Sequence, residues 1–409
     1  MKILLINNYH YRRGGADGVY FNTAELLTKH GHEVFYFSAH HSQNIESQSE
    51  RFFATANDYR NLSATAKIRA IPSFFYNGDA YKKLSELLEK INPDLAHLHL
   101  FMGGLSASIL LALKKKKIPI VHTVHDYRLI CPAYLFIDGK KQVCEKCKDR
   151  FYMHCTLKRC SENSFSQSAM LSMDAYFRKY LIKPIALVDR FIFVSEFIRK
   201  KHIEFNPYYI PKSEMLYNFY PELNTATPAT TKGKYFLYFG RISREKGVNT
   251  LIEAALNAGI SLKIVGTGPL LEQLVAQSSE NIEFLGFKNK DGLWSLVKSA
   301  SFVIVPSEWY ENNPLTIIEA YSFGKPVIGA GIGGIPEIIV ENKTGYLFNS
   351  GSKLELEQLL TKANNLSDFE YGEMSANSRA FAEEYFHPDT HYEKLFAIYE
   401  DVIKNKNKK

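Results

Sequence analysis

Short, continuous apolar segments recur along both halves of the chain, and they constrain its fold more than any other feature. Each is short enough for one buried strand and ends in polar or glycine-containing sequence. Strands that are apolar without alternation are covered on both faces, which is typical of parallel sheets flanked by helices. We therefore predict strands at KILLIN, EVFYFSA, DLAHLHL, IPIVHTVHD, RFIFVSE and EMLYNF in the first half, and at KYFLYFGR, LKIVGTG, IEFLGF, SFVIVPS and PVIGAG in the second.

The two series of strands predict an α/β protein with two doubly wound, Rossmann-like domains. A chain of 409 residues is too long to pack around a single hydrophobic core. We predict a first domain over 1–218, a Thr-, Pro- and Ala-rich linker over 219–233, a second domain over 234–385, and a terminal helix with a basic tail over 386–409. The terminal helix must pack on a core, and the first domain is one candidate. Ligands of such sheets bind at the carboxyl ends of strands, so we expect the two domains to face each other across a cleft.

Charge is distributed unevenly along the sequence. Residues 1–215 contain 31 Lys and Arg against 20 Asp and Glu, a net charge of +11, whereas the remainder has 19 against 23, a net charge of −4. A basic first half favours contact with an anionic surface. The main clusters are Lys114–Lys117 and Arg199–Lys201, although each could equally be a solvated helix end. No nucleic-acid motif accompanies the charge, so nucleic acid is not an expected partner.

The sequence has no run of eighteen apolar residues. The first ten residues, MKILLINNYH, are interrupted by polar residues after Ile6 and therefore predict a strand rather than a signal peptide. We expect a cytoplasmic protein that visits the inner face of the plasma membrane as a peripheral protein.

One stretch, Trp309–Pro326, combines a polar loop with the start of a helix. The apolar run Ser301–Ser307 comes directly before it, so the unit is strand, loop and helix. Asn313 is predicted to cap the helix, with Pro314 as its first residue, because proline lacks the N–H that a helix start leaves without a partner.

The start of this helix is a predicted anion site. The N–H groups of Leu315 and Thr316 would have no helical partner and would lie at the positive end of the helix dipole, where phosphate binds well. Glu311 in the loop and Glu319 in the second turn would flank the anion, an arrangement that suits the hydroxyls of a nucleotide sugar. The alternative is an ordinary connection with two solvated glutamates.

Two features of the first half lie at predicted strand ends. Gly14 and Gly15 follow the first strand, precede a helix predicted to begin near Val19, and allow a phosphate or sugar to approach the backbone. They do not form a full G-x-G-x-x-G motif, which disfavours a nicotinamide dehydrogenase. His125 and Asp126 end the strand of VHTVHDY, where an open α/β sheet places its working residues. A satisfied structural histidine is the alternative.

The loop after the first strand of the second domain carries Arg241 and Lys246, preceded by Gly240. The departure of a nucleoside diphosphate develops negative charge, which a fixed arginine and a lysine would stabilise. A surface basic loop is the alternative. Gly266 and Gly268 form a second glycine-rich strand end that could approach a nucleotide.

Spacing and context together resemble the family-4 retaining glycosyltransferases, a group of glycosyl transferases with the GT-B fold. The resemblance rests on Glu-x7-Glu at Glu311 and Glu319, on GKPVI at Gly324–Ile328, and on the Arg241 and Lys246 loop. It implies two facing Rossmann-like domains, with the acceptor on the first and a nucleotide-diphosphate sugar donor on the second. It also implies transfer to a glycan or lipid-linked acceptor with retention of configuration.

The resemblance implies a role for each matching residue. The residues assigned to catalysis are His125, Arg241, Lys246 and Glu311, with Glu311 holding the donor sugar. By the resemblance, Glu319 binds the ribose, and the loop over Asn313, Pro314, Leu315 and Thr316 binds the phosphates. The other predicted donor-binding residues are Gly14, Gly15, Gly240, Gly266, Gly268, Phe287, Lys288 and Asn312. No Asp-x-Asp occurs in the sequence, so we expect transfer without a catalytic metal or other cofactor.

All five cysteines lie between residues 131 and 160, in a predicted insert over about 130–167. Cys144, Cys147, Cys155 and Cys160 have the spacing C-x2-C-x7-C-x4-C, which is compact enough for a structural zinc site. Four ordinary thiols are the alternative. Cys131 precedes a proline and is predicted to pack near the cleft.

Two other functions fit the same fold. A nucleotide-sugar epimerase or hydrolase would use the donor site without an acceptor, and a binding protein would hold the donor without turnover. Polysaccharide or glycoconjugate assembly in a bacterium is the expected context by family analogy.

Overall fold

A computed structural model describes residues 1–55, 71–222, 231–276 and 279–407. The chain forms two compact units. Unit 1 contains residues 1–216 and the chain from His391 onward, and unit 2 contains Tyr217–Thr390.

Unit 1 is built on a six-stranded parallel sheet with the strand order β2-β1-β3-β4-β5-β6. All six strands predicted in the first half are confirmed: β1 Lys2–Ile6, β2 Glu33–Phe37, β3 Leu95–Leu98, β4 Ile120–Val124, β5 Arg190–Phe193 and β6 Ser213–Met215. The last of these is shorter than predicted, because Tyr217 already belongs to unit 2.

The helices of unit 1 alternate with the strands. Several begin at a side-chain cap, as at Asn77, Ser164 and Ser195, each of which accepts a backbone N–H of the first turn. They are α1 Gly15–Lys29, α2 Gly78–Ile91, α3 Ser108–Lys115, α4 Met153–Leu157, α5 Phe165–Phe177, α6 Pro184–Leu187 and α7 Glu196–Phe205, with 3-10 turns at Glu50–Phe52 and Pro207–Lys212 and a π-helical turn at Arg178–Ile182.

Unit 2 has a second six-stranded parallel sheet with the order β12-β11-β10-β7-β8-β9. Its strands are β7 Phe236–Phe239, β8 Leu262–Val265, β9 Ile282–Phe284, β10 Val303–Val305, β11 Val327–Ala330 and β12 Gly345–Phe348. The first five match the predicted segments. The edge strand β12 was not predicted.

The helices of unit 2 cover this sheet. They are α8 Val248–Ala258, α9 Leu271–Val275, α10 Lys290–Ser299, α11 Leu315–Ser322, α12 Lys353–Asn364 and α13 Asp368–Tyr385, with 3-10 turns at Arg244–Lys246 and Ile335–Glu337. In the part of the chain that the structure describes, no helix is both long enough and apolar enough to cross a bilayer.

The segment between the two sheets differs from its predicted form. The sequence predicts a first domain that ends at residue 218 and a linker over 219–233, whereas Asn218 and Tyr220 pack within unit 2. The N–H of Asn218 donates to Asn313 Oδ1 at 2.8 Å, and the N–H of Tyr220 donates to the carbonyl of Phe386 at 3.2 Å. Tyr220 joins the apolar core of unit 2. Residues 223–230 of the predicted linker lie outside the described residues.

The C-terminal helix, Pro388–Asn407, completes the core of unit 1. Leu395, Tyr399 and Val402 are buried in one apolar cluster with Ile3 and Leu5 of β1. Near the end of the helix, Lys406 Nζ lies 2.9 Å from Asp189 Oδ2. The last described turns of the chain are therefore part of the first unit.

Leu395→Ala should destabilise the protein by about 2–5 kcal/mol, because it removes a buried side chain that is 1 % exposed and leaves a cavity. Leu354→Ala is the matched control, since Leu354 is 63 % exposed, and it should change the free energy of unfolding by about 0.5 kcal/mol or less. Denaturant unfolding followed by circular dichroism measures both. Equal losses in the two variants would contradict the packing of the C-terminal helix.

Candidate active site

The predicted residues of unit 2 follow the carboxyl ends of neighbouring parallel strands. Gly240 and Arg241 follow β7, and Gly266 follows β8. Glu311 lies in the loop after β10, which pairs with both β7 and β11. Since parallel strands end at the same edge of a sheet, the fold brings these loops together.

The Glu311 side chain accepts three side-chain hydrogen bonds, and the residue is 6 % exposed. Its Oε1 atom accepts hydrogen bonds from Lys246 Nζ at 2.6 Å, Ser307 Oγ at 2.8 Å and Trp309 Nε1 at 2.9 Å. Among the described residues Oε2 has no such partner. The carboxylate is therefore held through one oxygen, and the other can bind a ligand hydroxyl.

The backbone of Glu311 is fixed by the loop after β11. The N–H of Gly334 donates to the carbonyl of Glu311 at 2.7 Å. Gly333 has a φ of +64°, and a Cβ atom there would lie 2.2 Å from the same carbonyl oxygen. A larger residue at position 333 would therefore displace the Glu311 backbone.

The start of α11 corrects one predicted detail. Pro314, with a φ of −66° and a ψ of 120°, precedes the first helical residue, Leu315, and Asn313 does not cap the helix. Asn313 Oδ1 instead accepts the N–H of Asn218 and ties the loop to residues just after the unit boundary. The helix nevertheless begins at Leu315, so the amides of Leu315 and Thr316 are first-turn amides, as predicted.

Glu319 lies one helical turn further along α11, and its carboxyl group is desolvated. Burial raises the pKa of Glu319 to about 7, although Lys290 acts in the opposite direction. Burial raises the pKa of the Tyr220 hydroxyl, and the neighbouring Glu319 carboxylate raises it further. Glu319 therefore changes its charge near neutral pH.

The two predicted cations have different environments. Arg241 is exposed, and among the described residues no side chain pairs with its guanidinium. Lys246 is paired with Glu311 and lies over the Trp309 ring, with Nζ 5.2 Å from the ring centroid. The sequence predicts that both cations stabilise the departing diphosphate, but of the two only Lys246 pairs with a carboxylate among the described residues.

The glycines at the ends of β7 and β8 pack against the protein's own backbone. A Cβ atom on Gly266 would lie 1.9 Å from the carbonyl oxygen of Gly240, and one on Gly268 would lie 2.2 Å from that of Ile242. These contacts explain the glycines without a ligand. After β9, Phe287 is 77 % exposed and Lys288 is also exposed, so both side chains are accessible.

In unit 1, His125 follows β4 and contacts a residue that the sequence did not suggest. His125 Nε2 lies 2.9 Å from Nδ1 of His99, which follows the neighbouring strand β3, and the two rings stack with centroids 5.2 Å apart. Burial lowers the pKa of His125 to about 4. Asp126, which follows His125, accepts the N–H of Arg128 at 2.9 Å. His99 and His125 lie on one face because β3 and β4 pair with His97 opposite Val121, a register that the sequence alone does not give.

The glycine pair of unit 1 starts helix α1 earlier than its predicted start near Val19. Gly14 is the residue before the helix and Gly15 its first residue. Asp17 in the first turn is buried, and its Oδ1 accepts Asn7 Nδ2 at 2.8 Å. The N–H groups of Arg13 and Gly14 also bond to this carboxylate. A phosphate at these amides would meet Asp17, so the glycine pair fits a sugar better.

The five cysteines are all free thiols, and three of them are buried. Cys144 and Cys155 are electrostatic neighbours of the Cys160 thiol. Burial raises the pKa of Cys147 to about 12. In the described ranges no group of three or more His, Cys, Asp or Glu side chains is arranged to hold a metal ion. The zinc site therefore stays a prediction.

Two family models match the chain. The model for Glycosyltransferase Family 4 matches residues 13–220, and the model for glycosyl transferases group 1 matches residues 221–380. The boundary between these matches falls close to the boundary between the two units.

Relatives of the chain include a cps-region protein and an O-antigen chain mannosyltransferase. An uncharacterized 42.6 kDa protein in the cps region of Klebsiella pneumoniae is 26 % identical over 357 residues, 83 % of this chain and 87 % of that protein. The O-antigen chain mannosyltransferase C of Escherichia coli is 26 % identical over 186 residues, 44 % of this chain and 49 % of that protein.

Solved structures share the fold at low sequence identity. Anabaena HepE in complex with UDP is 17 % identical, with a TM-score of 0.67 and coverage of 98 % of this chain and 100 % of that one. Sucrose-phosphate synthase from Thermosynechococcus elongatus is 16 % identical, with a TM-score of 0.71 and coverage of 99 % and 100 %. Together with the family models and the two parallel sheets, these structures show that the chain belongs to Glycosyltransferase Family 4 and has the GT-B fold.

Proposed function

We propose that this glycosyltransferase moves a sugar from a nucleotide-diphosphate sugar to a glycan or lipid-linked acceptor, with retention of configuration and without a catalytic metal. The observation that carries the proposal is the anchoring of Glu311. Three donors hold its Oε1 atom beside the start of α11, so that Oε2 is left for a sugar hydroxyl.

The donor would lie along the strand ends of unit 2. Glu311 would bind the sugar, and the amides of Leu315 and Thr316 the phosphates. Arg241, which is exposed and uncompensated, would stabilise the negative charge of the departing nucleoside diphosphate. Glu319 would accept hydrogen bonds from the ribose hydroxyls, and the exposed Phe287 would contact the base.

The proposed leaving group has precedents among proteins of this fold. HepE was solved with UDP, with UDP and glucose, and with UDP-glucose. A variant of Staphylococcus aureus TarM was solved with UDP and alpha-GlcNAc-glycerol. These ligands support a nucleotide-sugar donor here, and we propose His125 and the Gly14 and Gly15 pair of unit 1 as contacts of the sugars.

Retention and metal independence rest on sequence chemistry. The sequence has no Asp-x-Asp, the carboxylate pair that clamps a metal in the other main glycosyltransferase fold. Glu311 is tied to Lys246, Ser307 and Trp309, which suits a positioning role better than that of a nucleophile. Attack on the same face as the leaving phosphate is therefore the proposed route.

A polysaccharide context and a membrane visit complete the proposal. The cps-region and O-antigen relatives support a role in polysaccharide assembly.

The two basic clusters of unit 1 differ in their suitability for contact with a membrane. Arg199 and Lys201 form ion pairs with glutamates of their own unit. Lys114–Lys117 is exposed, and of its members Lys116 pairs with Glu89. The Lys114–Lys117 cluster is therefore the proposed contact with anionic lipid.

A thermal-shift screen of nucleotides and nucleotide sugars tests the donor site, because a ligand of the native state raises its apparent stability. The stabilising donor is then incubated with and without an acceptor panel. Transfer that requires acceptor supports the proposal. Rapid product formation from donor alone would indicate an epimerase or hydrolase, and binding without turnover would indicate a binding protein.

Arg241→Ala should lower kcat by about two orders of magnitude or more, because it removes a cation that stabilises the leaving diphosphate. Arg244→Ala is the matched control: Arg244 is exposed in the same loop and has no assigned role. Its kcat should stay within about twofold of the wild-type value. Steady-state transfer assays compare the two, and a near-normal rate in Arg241→Ala would refute the assigned role.

Nucleotide-sugar binding should weaken as the pH falls from about 8 to 6. Burial raises the pKa of Glu319 from its usual value to about 7, so the carboxylate that accepts ribose hydroxyls is lost below that pH. Calorimetric titration with the selected donor measures this, since the diphosphate of a nucleotide sugar does not titrate in this range. Glu319→Gln should abolish the pH dependence, and the control Glu311→Gln should retain it. A flat profile in the wild type would contradict the role.

We also propose that Cys144, Cys147, Cys155 and Cys160 bind a structural zinc ion, because the four thiols fall within one short insert with compact spacing and zinc would displace their protons. Metal analysis of protein purified without added metal should find about one equivalent of zinc. Cys144→Ser and Cys160→Ser should lose it, whereas Cys131→Ser, a buried neighbouring thiol, should not. Less than about half an equivalent in the wild type would reject the site.

A further inference from the structure

A second histidine, His99, lies beside His125 and contacts its ring. His99 is 1 % exposed and follows β3, the strand next to β4. The two strands pair in parallel, with His97 opposite Val121. The alternation of side chains therefore puts His97, His99, Thr123 and His125 on one face of the sheet.

The backbone N–H and carbonyl groups of His99 are both hydrogen-bonded. Its N–H donates to the carbonyl of Ile6 in β1 at 2.8 Å. Its carbonyl lies 3.1 Å from His122 Nε2, which must donate because a carbonyl only accepts. His99 is thus fixed between β1 and β4 before its ring makes any contact.

The ring of His99 is also confined. It packs against the Tyr20 ring at 5.5 Å and against the His97 ring at 4.5 Å. His97 is itself held by Tyr399 Oη at 2.6 Å and by Thr123 Oγ1 at 2.7 Å. The C-terminal helix, through Tyr399, therefore supports the layer on which His99 lies.

The hydrogen-bond partners indicate the tautomers. His99 Nε2 is buried without a partner among the described residues. A buried N–H without an acceptor is rarer than a buried lone pair without a donor, so the proton of His99 belongs on Nδ1. Nδ1–H then donates to Nε2 of His125, and His125 must carry its own proton on Nδ1. Burial lowers the pKa of both rings, which are therefore neutral at pH 7.

We propose that His99 is a positioning residue that fixes the ring orientation and the Nδ1-protonated tautomer of His125. This inference rests on the proposed function, in which His125 contacts the transferred sugar. A ring free to rotate would present Nε2–H or Nδ1–H in turn, and misplacement of a contact group by about 1 Å can lower a rate about a hundredfold.

The test uses two variants with the same amide chemistry at different positions. In His99→Asn the side-chain amide replaces Nδ1 and can still donate to His125, whereas in His99→Gln it replaces Nε2 and cannot. We expect His99→Gln to lower kcat about 10- to 100-fold with the nucleotide-sugar Kd within about twofold, and His99→Asn to stay within about threefold of the wild-type kcat. His202→Gln is the control, because His202 is fully buried in the same unit and bonds the carbonyl of Ile198 rather than His125.

Two further measurements decide the outcome. His99→Gln added to His125→Ala should lower kcat by less than about twofold more, because His99 acts through His125. Nitrogen NMR of histidine-labelled protein should show His125 protonated on Nδ1 in the wild type and His99→Asn and a tautomer mixture in His99→Gln. Multiplicative kinetic losses, or an unchanged tautomer in His99→Gln, would overturn the inference. If the wild type transfers no sugar, the proposed function fails, while the NMR result still decides whether His99 positions His125.

Discussion

Parallel strand pairing is the constraint on which both units depend. Every strand of a parallel sheet delivers its carboxyl end to the same edge, so the residues that follow those ends become neighbours whatever their separation in sequence. In unit 2 this places Arg241, Gly266 and Glu311 on adjacent loops, after β7, β8 and β10. In unit 1 the same rule, together with the alternation of side chains, aligns His99 with His125. The chemistry of each unit is thus a consequence of strand order.

Charge compensation distinguishes the cations of unit 2. Lys246 and Glu311 form a partly buried pair, with side-chain exposures of 28 % and 8 %. In such a pair each charge offsets the desolvation of the other, and removing one partner leaves the second uncompensated. Arg241 has no such partner among the described side chains and stays exposed. A ligand phosphate would therefore meet a full positive charge at Arg241 but a compensated one at Lys246.

Unit 1 buries neutral histidines, whereas unit 2 buries part of the Lys246–Glu311 ion pair. Its histidines at strand ends are neutral because burial lowers their pKa values, and they satisfy one another or nearby hydroxyl groups. The only helix that follows unit 2 in the described chain returns to this layer through Tyr399. The end of the chain thus contributes to the support behind His125 through a hydrogen bond between Tyr399 and His97, which are 302 residues apart in sequence.

By itself, the sequence determined the features that depend on local pattern. Continuous apolar runs predicted eleven of the twelve strands found in the described residues, and the Glu-x7-Glu stretch predicted the loop and helix that carry Glu311 and Glu319. The edge strand β12 escaped prediction because GYLF is short and follows a polar turn. Element starts were also shifted, since Pro314 precedes its helix rather than opening it, and α1 begins at Gly15 rather than near Val19.

Only the tertiary structure decided which of these residues share contacts. Lys246 and Glu311 are 65 residues apart, His99 and His125 are 26 apart, and His97 and Tyr399 are 302 apart. No local pattern encodes such pairs, because strand order and register, not spacing along the chain, bring them together. Desolvation is likewise a property of the packed protein. It raises the pKa of Glu319 to about 7, a shift that the sequence around Glu319 does not predict.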